Sequence, residues 1–418
     1  MTTSRAIRIP NSEFRNHLFV ALLFLAATLA VAQDGLPPVL KEIDRHVREE
    51  FWDPKLKGVD WDGAVQRAAA EVAKAKDAAE SDAAYDRLLA TLDDSHSFRV
   101  PSGRLPEHAW GTAGLRIGRD GDGYGVKGVV PGYAAERARM KPGDRVLSIG
   151  GRRYGKERVN FRDLFLVFEG QSGSELEVVW QPAGAGAPRT DRLKREREEP
   201  ADSLVWKSAR VLRRDERTFG YVRLWGVRPE SALALVDLLL DRAEAVRARP
   251  EVSGWEAIEG LLLDVRGNSG GYDPNILTTF LRGQWSAGDY VEVARGARRL
   301  VPPVYKKLSV ALLVNSGTAS EGELLALRFR VHGIGPVVGE ETAGMASGGA
   351  AATKLSDGST LWLSRRAIED KDGRSYEGRG FTPDVVVADR PAASPGREDA
   401  IVEAGLKALT GQAVGRGP

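Results

Sequence analysis

One short stretch constrains the fold of this chain more than any other. The residues from Val310 to Leu325 read VALLVNSGTASEGELL. Val310 to Val314 are all apolar, which predicts a strand that is buried on both faces. The next four residues, Asn315 to Thr318, predict a turn, and a helical pattern begins at Ala319-Ser320. The sequence therefore places Ser320 in the first turn of a helix, just beyond the end of a buried strand.

This position suits a reactive serine. Unpaired backbone N–H groups and the helix dipole favour developing negative charge at the start of a helix. Both a serine nucleophile and the oxyanion that it generates benefit from such a site. Serine and threonine are also common helix caps, so Ser320 or Thr318 also fits the plain interpretation of an N-cap.

Composition narrows the function classes. The 418 residues predict two or three domains, and the formal net charge is only +2. Arg5, Arg8 and Arg15, set against Glu13, account for that charge, so the rest of the chain is about neutral and gives no support for nucleic-acid binding. The chain has no cysteine, and its five histidines are never in HExxH spacing. We therefore expect no metal and no cofactor.

The first 32 residues have the pattern of a signal peptide. The basic residues precede an apolar run from Leu18 to Val31, and Ala30-Val31-Ala32 is a small-x-small cleavage site. The run is short for a membrane-spanning helix, although an uncleaved anchor remains the alternative. Residues 1–32 therefore predict export to the periplasm or the extracellular space, with no permanent membrane anchor after cleavage.

Residues 36–100 predict a helical domain. Val39, Ile43, Val47 and Phe51 recur at roughly helical spacing, and two further amphipathic segments follow. The domain ends in the sequence LDDSHS at residues 92–97. A single histidine at a helix end is usually a surface or packing residue, and the helix dipole also favours one there.

Residues 108–195 differ in character and predict a small domain of short strands. The run PGYAAERARMKPGDRVLSIGG at residues 131–151 resembles a PDZ domain. Gly114, Leu115, Arg116 and Ile117 stand where that family has its carboxylate-binding loop. The resemblance implies that backbone N–H groups of this loop hold the C-terminus of a peptide; the alternative is a scaffold without a ligand. Residues 183–200 predict a linker or an exposed hairpin.

Residues 203–410 alternate between strands and helices. Ile258 to Val265 predict a strand covered on both faces, and DVRGNSGG follows at residues 264–271. Such a glycine-rich turn lets backbone approach a ligand closely. A phosphate-binding loop requires Lys-Ser/Thr after the glycines, and Tyr272-Asp273 stands there instead. An oxyanion-binding turn fits better.

Three motifs together resemble the serine peptidase family that contains the C-terminal processing (tail-specific) proteases and the tricorn core protease. They are LLLDVRGNSGG at residues 261–271, GTASEGE at residues 317–323 and YEGRGFTPDV at residues 376–385. The resemblance implies a multidomain α+β protein: an N-terminal helical cap, a PDZ β-barrel-like domain and a crotonase-like αβ peptidase core. It also implies that Ser320 is the nucleophile.

The chain departs from the processing proteases at one position. They pair the serine with a lysine, and Met345 stands at the matching position in GEETAGM. Because a thioether takes no proton, this excludes a Ser-Lys dyad there. The tricorn-like branch uses a Ser-His pair and a glutamate, which Ser95, His96 and Glu377 resemble.

The resemblance to this branch assigns the remaining roles. His96 would be the general base for Ser320, and Ser95 and Glu377 would orient or polarise the imidazole. Backbone N–H groups of Gly270 or Gly271, together with that of Glu321, would stabilise the oxyanion.

Two hypotheses about function follow. The first is an exported serine endopeptidase that cleaves polypeptides, either unfolded ones or ones presented by their C-termini. The second is a catalytically inactive protein that binds a peptide or another ligand on the same fold. The missing lysine favours the second, and the intact Ser320, His96 and Glu377 favour the first.

Overall fold

The structure is a computed structural model. It describes residues 35–103, 110–156, 159, 163, 170–184, 186–239, 249–272, 275–281, 291–294, 297–300, 308–370, 372–390 and 398–411. The segment predicted to be a signal peptide, residues 1–32, lies outside these ranges. Within them, no helix combines the length and the apolar character that crossing a membrane requires. The fold is a mixed α/β arrangement with several sheets.

The N-terminal helical unit contains three helices. They are α1 (Pro38–Glu50), α2 (Trp61–Val72) and α3 (Ala78–Ala90), with a short 3-10 helix at Leu56–Gly58. Asp60 and Asp77 cap α2 and α3 by accepting hydrogen bonds from the first-turn N–H groups of Gly63 and Glu80. All of these helices lie within residues 38–90.

This helical unit shares its core with a distant part of the chain. Apolar side chains of α1 to α3 pack against Leu355, Leu361 and Leu363. Strand β1 (Phe98–Val100) pairs antiparallel with a strand at Thr360–Leu363. The sequence pattern did not indicate this pairing, which brings the segment containing His96 to the second half of the chain.

A second unit, here called the β unit, is built mainly from short antiparallel strands. Its elements are β2 (Trp110–Thr112), β3 (Leu115–Asp120), β4 (Gly123–Val129), α4 (Ala134–Arg137), β5 (Arg145–Ile149), β6 (Arg152–Arg153), β7 (Gly170–Gln171), β8 (Glu175–Gln181), β9 (Arg189–Lys194) and β10 (Glu196–Arg197). Its larger sheet has the order β3-β4-β5-β8-β9, so β3 is an edge strand. Because β9 pairs with β8, the segment 183–200 belongs to a hairpin rather than a linker.

The remaining elements form the core unit. In chain order they are α5 (Ala201–Ser208), β11 (Arg210–Arg214), β12 (Arg217–Arg223), α6 (Pro229–Leu239), 3-10 helices at Pro250–Val252 and Trp255–Ala257, β13 (Gly260–Asp264), α7 (Asn275–Leu281), β14 (Val291–Ala294), β15 (Ala297–Leu300), β16 (Ser309–Val314), α8 (Glu321–Val331), β17 (Val337–Gly339), β18 (Ala351–Lys354), β19 (Thr360–Leu363), β20 (Val385–Val386) and α9 (Ala400–Thr410).

The core unit is organised around a six-stranded sheet of order β11-β12-β13-β16-β17-β20, parallel from β12 onward. On one face, Leu261 and Leu263 of β13 pack in a cluster with residues of α6 and α8. On the other face, Leu262 packs in a cluster with α9. Strands covered on both faces need apolar side chains at successive positions, which explains the unbroken runs in β13 and β16.

A buried cluster of charges lies at the carboxyl end of this sheet. Arg266 contacts Asp264 at 2.8 Å, Asp389 at 3.1 Å and Asp399 at 2.9 Å, and its side chain is only 6% exposed. Tyr221 donates to Asp264 as well. Burial is the largest single influence and raises the pKa of Asp264, but the charges of Arg266 and Arg223 and the hydrogen bonds from Arg266 and Tyr221 together lower that pKa to about 2. The cluster ties the end of β13 to the residues that lead into α9.

Replacing Arg266 should therefore be costly. Arg266→Ala leaves the buried Asp264 carboxylate without its cation, so the free energy of unfolding should fall by about 3–5 kcal/mol in urea denaturation. Arg87→Ala is the matched control, because Arg87 and Glu71 form an exposed ion pair. That variant should lose less than about 1 kcal/mol. Equal losses in the two variants would contradict this account of the cluster.

Candidate active site

Ser320 is held in a strained backbone conformation between β16 and α8. Its φ is 53° and its ψ is −124°, a region that residues with a side chain rarely occupy. Its N–H donates to Met345 O at 3.1 Å and to a Glu323 carboxylate oxygen at 3.2 Å. The surrounding hydrogen bonds thus fix an unfavourable conformation, which is a common property of functional sites.

The turn before Ser320 is bonded to the turn after β13. Asn315 Oδ1 accepts from the N–H groups of Gly267 and Gly317, at 2.9 and 3.0 Å. Thr318 donates its hydroxyl to Val265 O at 2.8 Å. The Thr318 hydroxyl therefore connects the turn before Ser320 to the turn after β13.

Gly270 lies directly against Ser320. A Cβ atom at Gly270 would stand 2.5 Å from Ser320 Cβ, 3.0 Å from Ser320 Oγ and 3.1 Å from Glu321 N. Its φ of 95° also favours glycine. The glycine-rich turn therefore permits the close approach that the sequence suggested.

The two predicted glycine donors differ in geometry. The N–H of Gly270 donates to Asn268 Oδ1 at 2.8 Å, so it is already engaged. The neighbouring groups, Gly270 O and Tyr272 N, bond to Val227. Gly271 N–H has no acceptor among the described residues. This arrangement favours Gly271 over Gly270 as a donor to a bound oxyanion.

His96 reaches Ser320 from the helical unit. Its Nε2 lies 3.1 Å from Ser320 Oγ, although the two residues are 224 positions apart. On the other side of the ring, Nδ1 lies 2.9 Å from Ser95 Oγ. Ser95 donates its hydroxyl to Glu377 Oε2 at 3.0 Å and its N–H to Glu377 Oε1 at 2.9 Å. The structure thus brings Ser320, His96, Ser95 and Glu377 together in one hydrogen-bonded series.

Two neighbours of His96 were missed in the sequence. Ser347 Oγ lies 3.3 Å from His96 Nδ1, and its N–H donates to Glu377 at 2.8 Å. Ser347 also donates its hydroxyl to Asp94 at 3.2 Å. Asp94 stands next to Ser95 in the LDDSHS segment and could have been considered. Nothing in the sequence pattern around Ser347 distinguishes it.

Glu323 organises the segment that contains Met345. Its carboxylate accepts hydrogen bonds from the Thr342 hydroxyl and from the N–H groups of Gly344, Met345 and Ser320. Burial raises the pKa of Glu323 to about 7, against the opposing effect of hydrogen bonds from Thr342, Gly344 and Met345. The sequence interpretation did not give Glu323 a role at the site.

Met345 contributes its backbone to the site but not its side chain. The side chain is buried in an apolar cluster of the β unit, which also includes Ala319. Its carbonyl oxygen accepts from Ser320 N–H. A thioether in an apolar cluster supplies no base, in agreement with the exclusion of a Ser-Lys dyad at this position.

The predicted peptide loop lies close to the site only through Arg116. Leu115 and Ile117 are buried in the core of the β unit. Gly114 N–H donates to Thr112 Oγ1 at 3.0 Å. Arg116 lines the cavity in front of Ser320. Binding of a peptide C-terminus by residues 114–117 stays a prediction.

A cavity of about 670 Å³ opens in front of Ser320 and His96. Its apolar lining includes Leu204, Trp225 and Trp362. Its charged lining includes Arg366, which is paired with Glu321. A mostly apolar cleft with a few polar groups that converge on one point is typical of a substrate site.

A methyl group at position 270 should disable the serine. In Gly270→Ala the new Cβ would overlap with Ser320, so reaction with a fluorophosphonate probe should slow by about 100-fold or more. Gly155→Ala is the control, because a Cβ there meets nothing within 4 Å. Unchanged labelling of Gly270→Ala would show that the turn does not define the position of Ser320.

The raised pKa of Glu323 should make the stability lost in Glu323→Gln depend on pH. The pKa in the folded chain, about 7, exceeds the ordinary value of 4.5. The stabilisation from Glu323 is therefore complete below pH 4.5 and is lost as the pH rises through about 7. The loss caused by Glu323→Gln, measured in denaturant, should thus be largest at the acidic end and smaller at pH 8.

Glu341→Gln is the control for this experiment, because Glu341 is an exposed carboxylate of the same segment. It should change the free energy of unfolding by less than about 0.5 kcal/mol. A loss in Glu323→Gln that grows with rising pH would have the wrong sign for a carboxyl whose pKa is raised.

Comparison with known proteins identifies the family. The model of peptidase family S41 matches residues 218–387. A chloroplastic C-terminal processing peptidase of Tetradesmus obliquus is 30% identical over 330 residues, which cover 72% of this chain and 67% of that protein. Tricorn protease homolog 1 of Streptomyces coelicolor is 27% identical over 394 residues, which cover 88% of this chain but only 34% of that protein.

A solved structure agrees at the level of the fold. The photosystem II D1 C-terminal processing protease has a TM-score of 0.56 and 24% identity, with 84% of this chain and 92% of that chain covered. The chain thus spans about a third of the tricorn homologue and two thirds of the processing peptidase. The match in family model and sequence shows that the chain belongs to peptidase family S41.

Proposed function

We propose that the chain is an exported serine endopeptidase that hydrolyses peptide bonds of polypeptides with Ser320 as nucleophile and His96 as general base. The observation that carries this proposal is the 3.1 Å contact between His96 Nε2 and the Oγ of a serine in a strained conformation. A base within hydrogen-bonding distance of a nucleophile is the geometric requirement for this chemistry.

The reaction proceeds in two halves. His96 Nε2 takes the hydroxyl proton as Ser320 Oγ attacks the scissile carbonyl carbon, and the carbonyl oxygen becomes an oxyanion. Gly271 N–H and Glu321 N–H donate to that oxygen. The imidazolium then gives its proton to the leaving amine, and an acyl-serine remains. Water, deprotonated by His96, attacks this ester; as the C–O bond to Ser320 breaks, the imidazolium returns the proton to Ser320 Oγ and the acid is released.

Ser95 and Glu377 hold His96 for this task. The Glu377 carboxylate accepts a hydrogen bond from the Ser95 hydroxyl, so Ser95 Oγ presents a lone pair to His96 Nδ1. Nδ1 then carries a proton, and Nε2 is left as the acceptor that faces Ser320. The negative charge of Glu377 also stabilises the imidazolium that forms during the reaction.

The finer assignments of fold and substrate are part of the same proposal. We assign the helical cap to residues 36–100, a PDZ domain to residues 108–195 and a crotonase-like peptidase core to residues 203–410. The position of β3 at a sheet edge supports the addition of an extended peptide there. The names of the processing peptidases support polypeptide substrates recognised through their C-termini. Export rests on the sequence of residues 1–32.

A catalytically inactive binding protein is the second candidate, and Met345 is the observation that favours it. A site that has lost its function would be expected to lose the groups around the serine as well. Here Ser320, His96 and Glu377 remain connected through Ser95. The enzyme therefore accounts for more of the structure than the binding protein does.

The test is labelling with a fluorophosphonate probe, which reacts with activated serines. The unaltered protein should be labelled, Ser320→Ala should not react, and His96→Ala should react about 100-fold more slowly or worse. Ser356→Ala and His332→Ala are controls at exposed positions and should react normally.

Two results would count against the peptidase. A folded, unaltered protein that resists labelling would favour the binding protein. Labelling that appears only in Met345→Lys would mean that the site derives from a Ser-Lys ancestor and has lost its activity. We expect no gain from Met345→Lys, because that side chain is buried in an apolar cluster, where an ammonium group is costly.

A further inference from the structure

His96 Nδ1 is approached by two hydroxyl groups rather than one. Ser95 Oγ lies 2.9 Å from it and Ser347 Oγ lies 3.3 Å from it. Each hydroxyl in turn donates to a different carboxylate. Ser95 donates to Glu377 at 3.0 Å, and Ser347 donates to Asp94 at 3.2 Å. The imidazole is therefore connected to two carboxylates, those of Glu377 and Asp94, each through one serine hydroxyl.

We infer that Asp94, acting through Ser347, is a second positioning carboxylate for His96, parallel to Glu377 acting through Ser95. This inference rests on the proposed role of His96 as general base. Asp94 is a positioning residue and not a catalytic one, because it acts on the ring through Ser347.

Asp94 is buried and is held in place by hydrogen bonds. The residue is 6% exposed and Ser347 is 2% exposed. Asp94 Oδ1 accepts from the hydroxyls of Ser97 at 2.8 Å and Ser364 at 2.6 Å, and Oδ2 accepts from the Trp52 indole at 3.1 Å. These bonds fix the position of the carboxylate to which Ser347 donates.

The two serine bridges have a chemical consequence during the reaction. When His96 Nε2 receives the proton of Ser320, the ring becomes a cation whose Nδ1–H points toward both hydroxyl oxygens. Each hydroxyl has its own proton directed at a carboxylate, so both oxygens can accept from Nδ1–H. Two negative charges then stabilise one imidazolium, which is stronger support than a single carboxylate gives.

Other charged groups also lie around this region and stay unchanged in the variants below. Glu323 interacts with Glu377 from α8. The cavity in front of the ring has further charged lining residues: Arg116, Glu198, Arg228, Glu321 and Arg366. Because these groups are constant, a change between variants reports on the Asp94–Ser347 bridge.

The test measures the titration of His96 in Asp94→Asn and Ser347→Ala. Its midpoint is read from the ring resonances in histidine-labelled protein, assigned with His96→Ala, and from the pH dependence of fluorophosphonate labelling. Removing a negative charge destabilises the imidazolium, so both midpoints should move to lower pH, by about one unit in Asp94→Asn. The labelling rate at the high-pH plateau should fall about tenfold.

Ser97→Ala is the matched control. It removes one hydrogen bond to Asp94 at 2.8 Å and leaves the contact between Ser347 and His96 in place. A purely structural role of Asp94 predicts that Ser97→Ala and Asp94→Asn change stability and labelling in the same way, with no shift in the midpoint. We expect the midpoint to stay unchanged in Ser97→Ala.

Glu377→Gln and the double variant Asp94→Asn/Glu377→Gln complete the experiment. Glu377→Gln should keep part of the activity, and the double variant should fall at least about tenfold below it. Equal midpoints and rates in Glu377→Gln and the double variant would overturn the inference. If Asp94→Asn fails to fold, Ser347→Ala is the deciding variant, because it breaks the bridge between Asp94 and His96 while the Asp94 side chain stays. An unchanged His96 midpoint in Ser347→Ala would also overturn the inference.

The resonance measurement separates the failure of this inference from the failure of the proposed function. If the serine proves unreactive, the ring still titrates, and the shift in Asp94→Asn can still be measured. A shifted His96 midpoint without labelling would support Asp94 as a positioning carboxylate and contradict the proposed peptidase activity. Normal labelling with unshifted midpoints would keep the peptidase and reject the second carboxylate.

Discussion

The parallel pairing of β13 with β16 is the constraint on which the site depends. Asp264 is in register with Leu313, so the turns that follow the two strands leave the sheet side by side. Backbone and side-chain hydrogen bonds then lock them together, including Ala319 N–H to Asn268 O at 2.9 Å. Gly270 and Ser320 can meet only because this register is fixed. The two apolar faces of the strands, each covered by helices, hold the register in place.

The proposed chemistry of Ser320 requires residues from different units of the described chain. The core unit supplies the serine and Gly271, the helical unit supplies His96 with Ser95, and the segment beyond β19 supplies Glu377. The β unit packs on the turn before the serine, where Ser316 donates to Arg119 O and Asn315 donates to Lys127 O. The site is thus a junction between units, which is a common location for binding and catalysis.

The sequence predicted the parts of the fold that have local signals. The buried strands and the early helices follow from periodicity, and the serine at a helix start follows from one short motif. The grouping of the Ser95-His96 pair with Glu377 came from resemblance, because Ser95 and Glu377 are 282 positions apart and leave no local pattern. The pairing of β1 with β19, and the hydrogen bonds of Ser347 and Glu323, were missed for the same reason. The hydrogen-bond partners of a single hydroxyl or carboxylate cannot be read from the sequence and become visible only in the folded structure.

Position 345 illustrates how backbone and side chain can have separate tasks. The N–H and carbonyl of Met345 bond to Glu323 and Ser320, and any residue other than proline could provide them. The side chain only fills space in the β unit. The segment can therefore keep its place beside the serine while the residue type changes, and a change from lysine to methionine need not disturb the geometry of Ser320.

The distance along the chain between His96 and Ser320 also has a consequence for how the protein is made. A contact across 224 residues closes a long loop, so it forms only after the intervening units have folded. The contact of Ser95 with Glu377 must wait even longer, until nearly the whole chain has emerged from the ribosome. Until then Ser320 has no contact with His96. Under the proposed mechanism, late closure of this loop would keep a newly made chain from cleaving its neighbours before its own folding is complete.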